Sequence, residues 1–203
     1  MLRIDHLAVV AGRLGDGVAL VEQALGVTMA GGGKHALMAT HNRLLGLGDL
    51  YLEVIAPDPN APAPDRPRWF DMDRFTGPPR LTHWIAATDD LAAEVALGPD
   101  GIGTPLAFER GSFRWQKAVP DSGRLPFDGG FPALIEWQGP AHPVQTLPDS
   151  GLRLTRLEIA HPEATALRAV LAKRLFDPRV VVVAGNLSVR ATIDTPTGPR
   201  VLG

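Results

Sequence analysis

The sequence predicts an α+β fold in which two βαβββ modules combine into one cupped mixed sheet, with a partial third module packed alongside. Three observations lead there. The stretch RIDHLAVVA at residues 3–11 returns as RLTHWIAA at 80–87 and as RLTRLEIA at 153–160. Each copy is followed by a helical pattern and then by further strand-like runs. A proline-rich stretch separates the first copy from the second. An internal repeat of this length decides the fold class before any single residue does.

The first stretch reads as a strand because its Val and Ile side chains stiffen an extended backbone. Strict alternation would put His6 on one face with Ile4, Ala8 and Val10, and Asp5, Leu7 and Val9 on the other. In the following LGDGVALVEQALG, residues Leu14, Val18, Val21 and Leu25 recur at helical spacing. Asp16 can cap that helix and Gly26 can end it. The run GGGKHALMATHNRLLGLGDLYLEVIAP then reads as three short strands broken by glycines, completing a first module over residues 1–56. Residues 57–79 form a linker whose prolines 57, 59, 62, 64, 67, 78 and 79 exclude a regular helix. Trp69, Phe70 and Phe75 within it are expected to pack along the core surface. The second module, 80–140, repeats the order. RLTHWIAA is its first strand and DDLAAEVALG a short helix capped by Asp89 or Asp90. Strands follow at PLAFE, FRWQKAV and PALIEW. The third segment, 141–203, continues from RLTRLEIA into a helix with Pro162 at its first turn, then into strands RVVVVAG and LSVRATIDT.

Composition narrows the function classes. The chain has 203 residues, 45 % of them apolar, and a net charge of −2, with no lysine or arginine cluster to recruit nucleic acid or an anionic membrane. It has no cysteine, so thiolate metal sites and disulfides are excluded. No signal-peptide pattern and no membrane-spanning run is visible, which leads to a cytoplasmic expectation. The GGG at 31–33 lacks a strand-to-helix phosphate context and reads as a turn.

The chemistry-bearing residues follow the repeat. His6 lies on the first strand of module one and Glu53 on its last; His83 and Glu136 have the corresponding places in module two. With helices behind the sheet, all four are expected inside the cup. A carboxylate in an apolar strand is costly unless it is paired or metal-bound. Two imidazoles and two carboxylates would suit a divalent ion: Zn, Ni, Co, Mn or Fe. Taken singly, His6 or His83 could be a core histidine, and Glu53 could point to solvent. Matched placement in two modules raises the set above those readings. Asn42, Arg114 and Gln116 are candidate substrate-binding residues of the lining. Phe113, Trp115 and Val119 are assigned to the core, and His35 and His41 to solvated turns.

Paired βαβββ modules with His, Glu, His, Glu on their first and last strands resemble the vicinal oxygen chelate superfamily. The run THNRLLGLGDLYLEVIAPDP, followed by RWQKAVP and LIEWQGPAHP, is similar to the glyoxalase-like domain proteins. The resemblance implies a metal-dependent lyase, isomerase or dioxygenase fold, with some members serving only to bind. A divalent ion would hold two oxygens of a small oxygenated substrate and stabilise an enolate or similar oxyanion, while Glu136 or Glu53 carried a proton. Four ligands of this kind lean toward lyase or isomerase chemistry, and a dioxygenase would want one carboxylate fewer. The rivals are a protein of the same fold that sequesters a small molecule, and a structural interaction module. A homodimer is compatible with the sequence.

Overall fold

The computed structural model describes all residues, 1–203. Module one contains β1 (Arg3–Val10), α1 (Leu14–Leu25), β2 (Lys34–His35), β3 (Thr40–Gly46) and β4 (Tyr51–Pro57). Module two contains β5 (Arg80–Ala87), α2 (Leu91–Ala96), β6 (Thr104–Arg110), β7 (Phe113–Val119) and β8 (Ala133–Trp137). Their strands join into one curved sheet of order β2-β3-β4-β1-β5-β8-β7-β6. That order is the same list read from both ends, so the modules are related by a pseudo-twofold axis. The register locates the axis. Leu7 pairs with Trp84, and the pairs on either side are mirror copies: His6 with Ile85, and Ala8 with His83.

The remaining chain forms β9 (Arg153–His161), α3 (Ala164–Leu171), β10 (Val180–Ala184), β11 (Ser188–Thr195) and β12 (Gly198–Leu202), with its own sheet of order β10-β9-β11-β12. Leu154, Leu157, Ile159, Val189 and Ile193 of this segment bury in the same core as Leu7, Val9, Leu52 and Trp84. The third segment therefore covers the helix side of the large sheet. No helix is long and apolar enough to cross a membrane.

α1 sits close on the sheet because Gly17 allows it: a Cβ there would come within 2.5 Å of Val54 Cγ1. Gly26 ends the helix in the left-handed region, as its sequence position suggests. Asp16, however, lies in the first turn, and the helix begins after Arg13 without a side-chain cap. In module two Asp90 does cap, accepting from Ala93 N.

The linker is more than a strap. Trp69, Phe70 and Met72 are buried with Ala8, Ile55, Ile85 and Trp115 in a second apolar cluster on the concave face. The linker thus fills part of the cup. Phe70 and Asp71 adopt left-handed φ of 61° and 53°, and Phe127 and Asp128, in the turn before β8, adopt 54° and 50°. Non-glycine residues hold such angles at about 1 kcal/mol or more each, and only where their surroundings fix them.

Leu7, on the axis and fully buried, should be a stability determinant. Leu7→Ala is expected to cost about 3 kcal/mol, seen as a lower urea midpoint with an unchanged slope.

Candidate functional site

The site begins with a defect in each central strand. The β1–β5 register slips between Ile4 and His6, and again between Ala8 and Val9. Asp5 is the extra residue on β1, and Thr82 is the extra residue on β5. The effect is visible in packing: Ile4 joins Leu7 and Val9 in the helix-side core, not the His6 face that strict alternation assigns it. A bulge lets two consecutive side chains approach the same side of a sheet. Asp5 uses this to bond its histidine, with His6 Nδ1 at 2.5 Å from Asp5 Oδ1. Thr82 does the same for the other, with His83 Nδ1 at 2.8 Å from Thr82 Oγ1.

Module one's half of the cup is acidic and well bonded. Asp5 is buried and also accepts from Trp137 Nε1 at 2.8 Å and from His142 Nε2 at 3.0 Å. Burial opposes its ionisation, but the hydrogen bonds from His142 and His6, with their charges, outweigh it and hold the carboxyl well below the usual range. An ionised Asp5 can only accept, so His6 carries its proton on Nδ1. Nε2 then faces Glu53, 3.6 Å from its Oε2. The imidazole stacks on Tyr51 at 4.4 Å. Glu53 is buried and accepts from Asn42 Nδ2 at 2.5 Å. Burial pushes this carboxyl up; the charges of His6, His35 and Lys117 and the Asn42 bond bring it down overall. Asn42 Oδ1 is held by Gly33 N and by Arg110 Nη1, at 2.8 and 3.2 Å. Burial lowers His35 to about 4.

Module two's half differs. Because Ala8 pairs with Glu53 and Ile85 pairs with Ala133, the symmetry partner of Glu53 is Ala133, not Glu136. Asn42 pairs with Ile55 and Lys117 with Ile135, so the partner of Asn42 is Lys117. The second half therefore has no carboxylate and gains an amine. Lys117 is buried, with Nζ 4.5 Å from the Trp69 ring centre and 4.1 Å from that of Phe70. It has no ion pair; the ring faces supply its contacts. Burial lowers it to about 8, opposed by Glu53 and Asp5. His83 is lowered to about 3, first by burial and then by Lys117, and is therefore neutral. Its ring packs on Phe70 at 4.9 Å.

The four expected ligands do not converge. His6 and Glu53 meet. His83 shares their sheet face, but Ala8 and Ile85 stand between it and His6 in the register. Glu136 is on the helix side, where its carboxylate accepts from Leu91 N at 2.7 Å and from Gln138 Nε2 at 2.8 Å, securing the start of α2. Asn42 does line the cup. Arg114 and Gln116 do not: Arg114 is exposed, bonding Gly111 O and Phe113 O and pairing with Glu109. The alternation of β7 turns Trp115, Lys117 and Val119 inward, so the face read as plain core is the cup face. His35, expected in a solvated turn, is buried against the edges of Trp69 and Trp115. Sequence reasoning missed Asp5, Lys117, Arg110 and Trp137. Lys117 had a signal, being the one charged residue on an aromatic alternating face.

The donor set does not fit a metal ion. A bound divalent ion wants at least three protein ligands, and no group of three His, Asp or Glu side chains is placed to hold one. Open space among His6, Glu53, Tyr51, Arg110 and Trp137 amounts to about 30 Å³, room for a single water.

Two pseudo-symmetric βαβββ modules sharing one cupped sheet define a protein of the vicinal oxygen chelate type. The model of the glyoxalase-like domain family matches residues 4–175, and the chain belongs to that family. No curated protein matches the sequence. A hypothetical protein from Staphylococcus aureus has the same fold, at 11 % identity and TM-score 0.60, over 99 % of this chain and 84 % of its own. A Streptomyces coelicolor methylmalonyl-CoA epimerase in complex with 2-nitronate-propionyl-CoA aligns at 17 % identity and TM-score 0.44, over 68 % of this chain and 98 % of its own. The Mycobacterium tuberculosis methylmalonyl-CoA epimerase aligns at 14 % identity and TM-score 0.45, over 68 % and 88 %.

Asp5 should be felt in acid stability. A carboxyl depressed in the fold contributes fully above its unfolded value, near 4, and loses that contribution as pH falls below it. Asp5→Asn is expected to cost about 2 kcal/mol at pH 7, and the gap from wild type should narrow below pH 4. Urea titrations at pH 7 and pH 3 measure this.

Proposed function

We propose that this protein is an isomerase or lyase acting on a small oxygenated molecule by acid–base chemistry, with a lysine ammonium supplying the positive charge that the family resemblance assigns to a metal ion. The observation that carries the reading is that one buried carboxylate, Glu53, and one buried ammonium, Lys117, line the same cleft of the cup. In this reading Glu53 takes a proton from the carbon next to a carbonyl. The C–H electron pair moves onto the carbonyl oxygen, and Lys117 and Arg110 offset the resulting charge. The proton returns to the other face or a neighbouring carbon, or a group leaves from the next carbon. The charges of His6 and Lys117 and the Asn42 hydrogen bond favour the ionised Glu53, and Asn42 orients it. A substrate larger than water reaches Glu53 only when part of the aromatic wall, Trp69 and Phe70 foremost, moves aside.

The small free volume and the aromatic walls favour a second reading, a protein that sequesters its ligand without turnover. Proton NMR in D2O separates the two, using a panel of 2-oxo and 2-hydroxy acids and their thioesters. Loss of a carbon-bound proton that is insensitive to chelator, and at least about 100-fold slower in Glu53→Gln, supports the enzyme. Exchange that requires an added divalent metal overturns the metal-independent reading. Binding without exchange favours sequestration.

Lys117→Met gives a sharper separation. Removing the ammonium leaves the buried Glu53 without that cation, so the change is expected to cost about 3 kcal/mol. The same change should abolish exchange. In the wild type, exchange should fall as pH rises through about 8, where Lys117 loses its proton. A Lys117→Met protein with full activity would remove the lysine from the mechanism.

A further inference from the structure

A cavity much larger than the cup cleft lies beside it. It has a volume of about 530 Å³ and opens between the linker, the start of β5, the turn before β8 and β11 of the third sheet. That is the size range of small-molecule sites. Its apolar wall is Phe70, Phe75, Leu81, Leu125 and Val189. Its charged wall is Arg74, Arg80, Arg124 and Arg190, against only two acids, Asp71 and Asp128. The acids are already engaged: Asp71 takes Arg74 at 2.6 Å, and Asp128 takes Arg124 at 2.8 Å. Arg80 has no carboxylate partner; it bonds the carbonyls of Thr76 and Pro78 and lies over the Phe75 ring at 4.4 Å. Arg190 has neither an ion pair nor a side-chain hydrogen bond.

The floor carries a second, independent mark. His83 lines this cavity, is 7 % exposed, and has Nδ1 fixed by Thr82. Its Nε2 has no partner in the protein and is not among the sealed unpartnered atoms, so it keeps contact with the cavity. Gly129 makes that possible: at φ 95° its backbone runs against the ring, and a Cβ there would lie 2.8 Å from Nε2. Of the residues in left-handed conformation, Phe70, Asp71 and Asp128 border the same space.

We propose that this cavity is a binding site for a small amphipathic anion, a carboxylate or phosphate on an apolar body, with Arg80 and Arg190 taking the anion, the phenylalanine and leucine wall taking the body, and His83 Nε2 making one hydrogen bond at the floor. Guanidinium groups suit both acid types because their planar fork matches paired oxygens. The neutral imidazole selects a hydroxyl or carbonyl on the body rather than a second charge. The proposal does not depend on turnover in the cup, since it concerns binding alone.

Titration calorimetry tests it with phenyl phosphate, hippurate, benzyl alcohol and inorganic phosphate on the full chain. Phenyl phosphate or hippurate should bind with Kd below about 1 mM, and the stronger of the two identifies the acid type. Benzyl alcohol and inorganic phosphate should each bind at least tenfold more weakly, because each lacks half of the recognised chemistry. The double variant Arg80→Gln, Arg190→Gln should weaken the tighter ligand at least tenfold, and Glu53→Gln should leave it unchanged. His83→Ala should weaken hippurate, which offers carbonyl groups, more than phenyl phosphate. Equal binding of inorganic phosphate, an unaffected double variant, or no binding of either aromatic anion would overturn the proposal. Thermal melting of the double variant checks that it folds; both arginines are exposed, so wild-type melting is expected.

Discussion

The bond between each bulged residue and the histidine after it organises the concave face. A flat pairing of β1 with β5 would send Asp5 and Thr82 to the helix side, among Leu7, Val9 and Trp84, where a carboxylate would have no partner. The two register slips instead bring each beside its own imidazole. For His6 this fixes which nitrogen carries the proton, and for both histidines it fixes where the other nitrogen points. It also explains why one repeat yields two different centres. A carboxylate at the bulge makes a charged, richly bonded site around His6. A hydroxyl at the same place adds no charge, so burial and Lys117 leave His83 neutral, with its free nitrogen turned to a cavity.

The difference between the halves is electrostatic before it is steric. Glu53 without a cation nearby would be an isolated buried charge, which costs several kcal/mol. Its symmetry partner is an alanine, so no second carboxylate adds to that burden, and the amine at the position matching Asn42 offsets it. Lys117 is in turn kept from full solvation by Trp69 and Phe70, which come from the linker rather than from either module. The linker's left-handed pair is thus coupled to the charge balance of the cup: the backbone bends so that Phe70 can lie between Lys117 and His83. Local strain held by surroundings of this kind is commonest where a site needs it.

The sequence made the fold legible because the repeat, the helix spacing and the glycine breaks all agree, as they do when local and global preferences are consistent. Half of the site was legible for the same reason: His6, Glu53 and Asn42 are where alternation puts them. The rest was not, and each miss has a cause. Glu136 shares with Glu53 its place on the last strand of a module, but strand pairing counts from the axis, and three residues beyond Ala133 along β8 is the opposite face. Arg114 and Gln116 face the cup only if the aromatic face of β7 is core. A cup closed by aromatic side chains looks like core in sequence, and only Lys117 breaks the pattern. Alternation puts Asp5 on the helix side because a bulge leaves no mark in hydrophobic periodicity; a carboxylate next to a histidine in an otherwise apolar strand is the available hint.

The position of Phe70 joins the cup to the large cavity. Its ring touches His83, which faces the cavity, and the Lys117 ammonium, which faces Glu53. Phe70 lines the arginine-lined space of about 530 Å³, and its ring contacts Lys117, which lines the cleft that holds a single water. Moving the ring would give up the cation–π contact and the packing on His83, each about 1 kcal/mol. An anion bound at Arg80, as proposed, would lie on the far side of that ring from Lys117. The cup and the cavity therefore meet at one residue, which the proline-rich linker supplies.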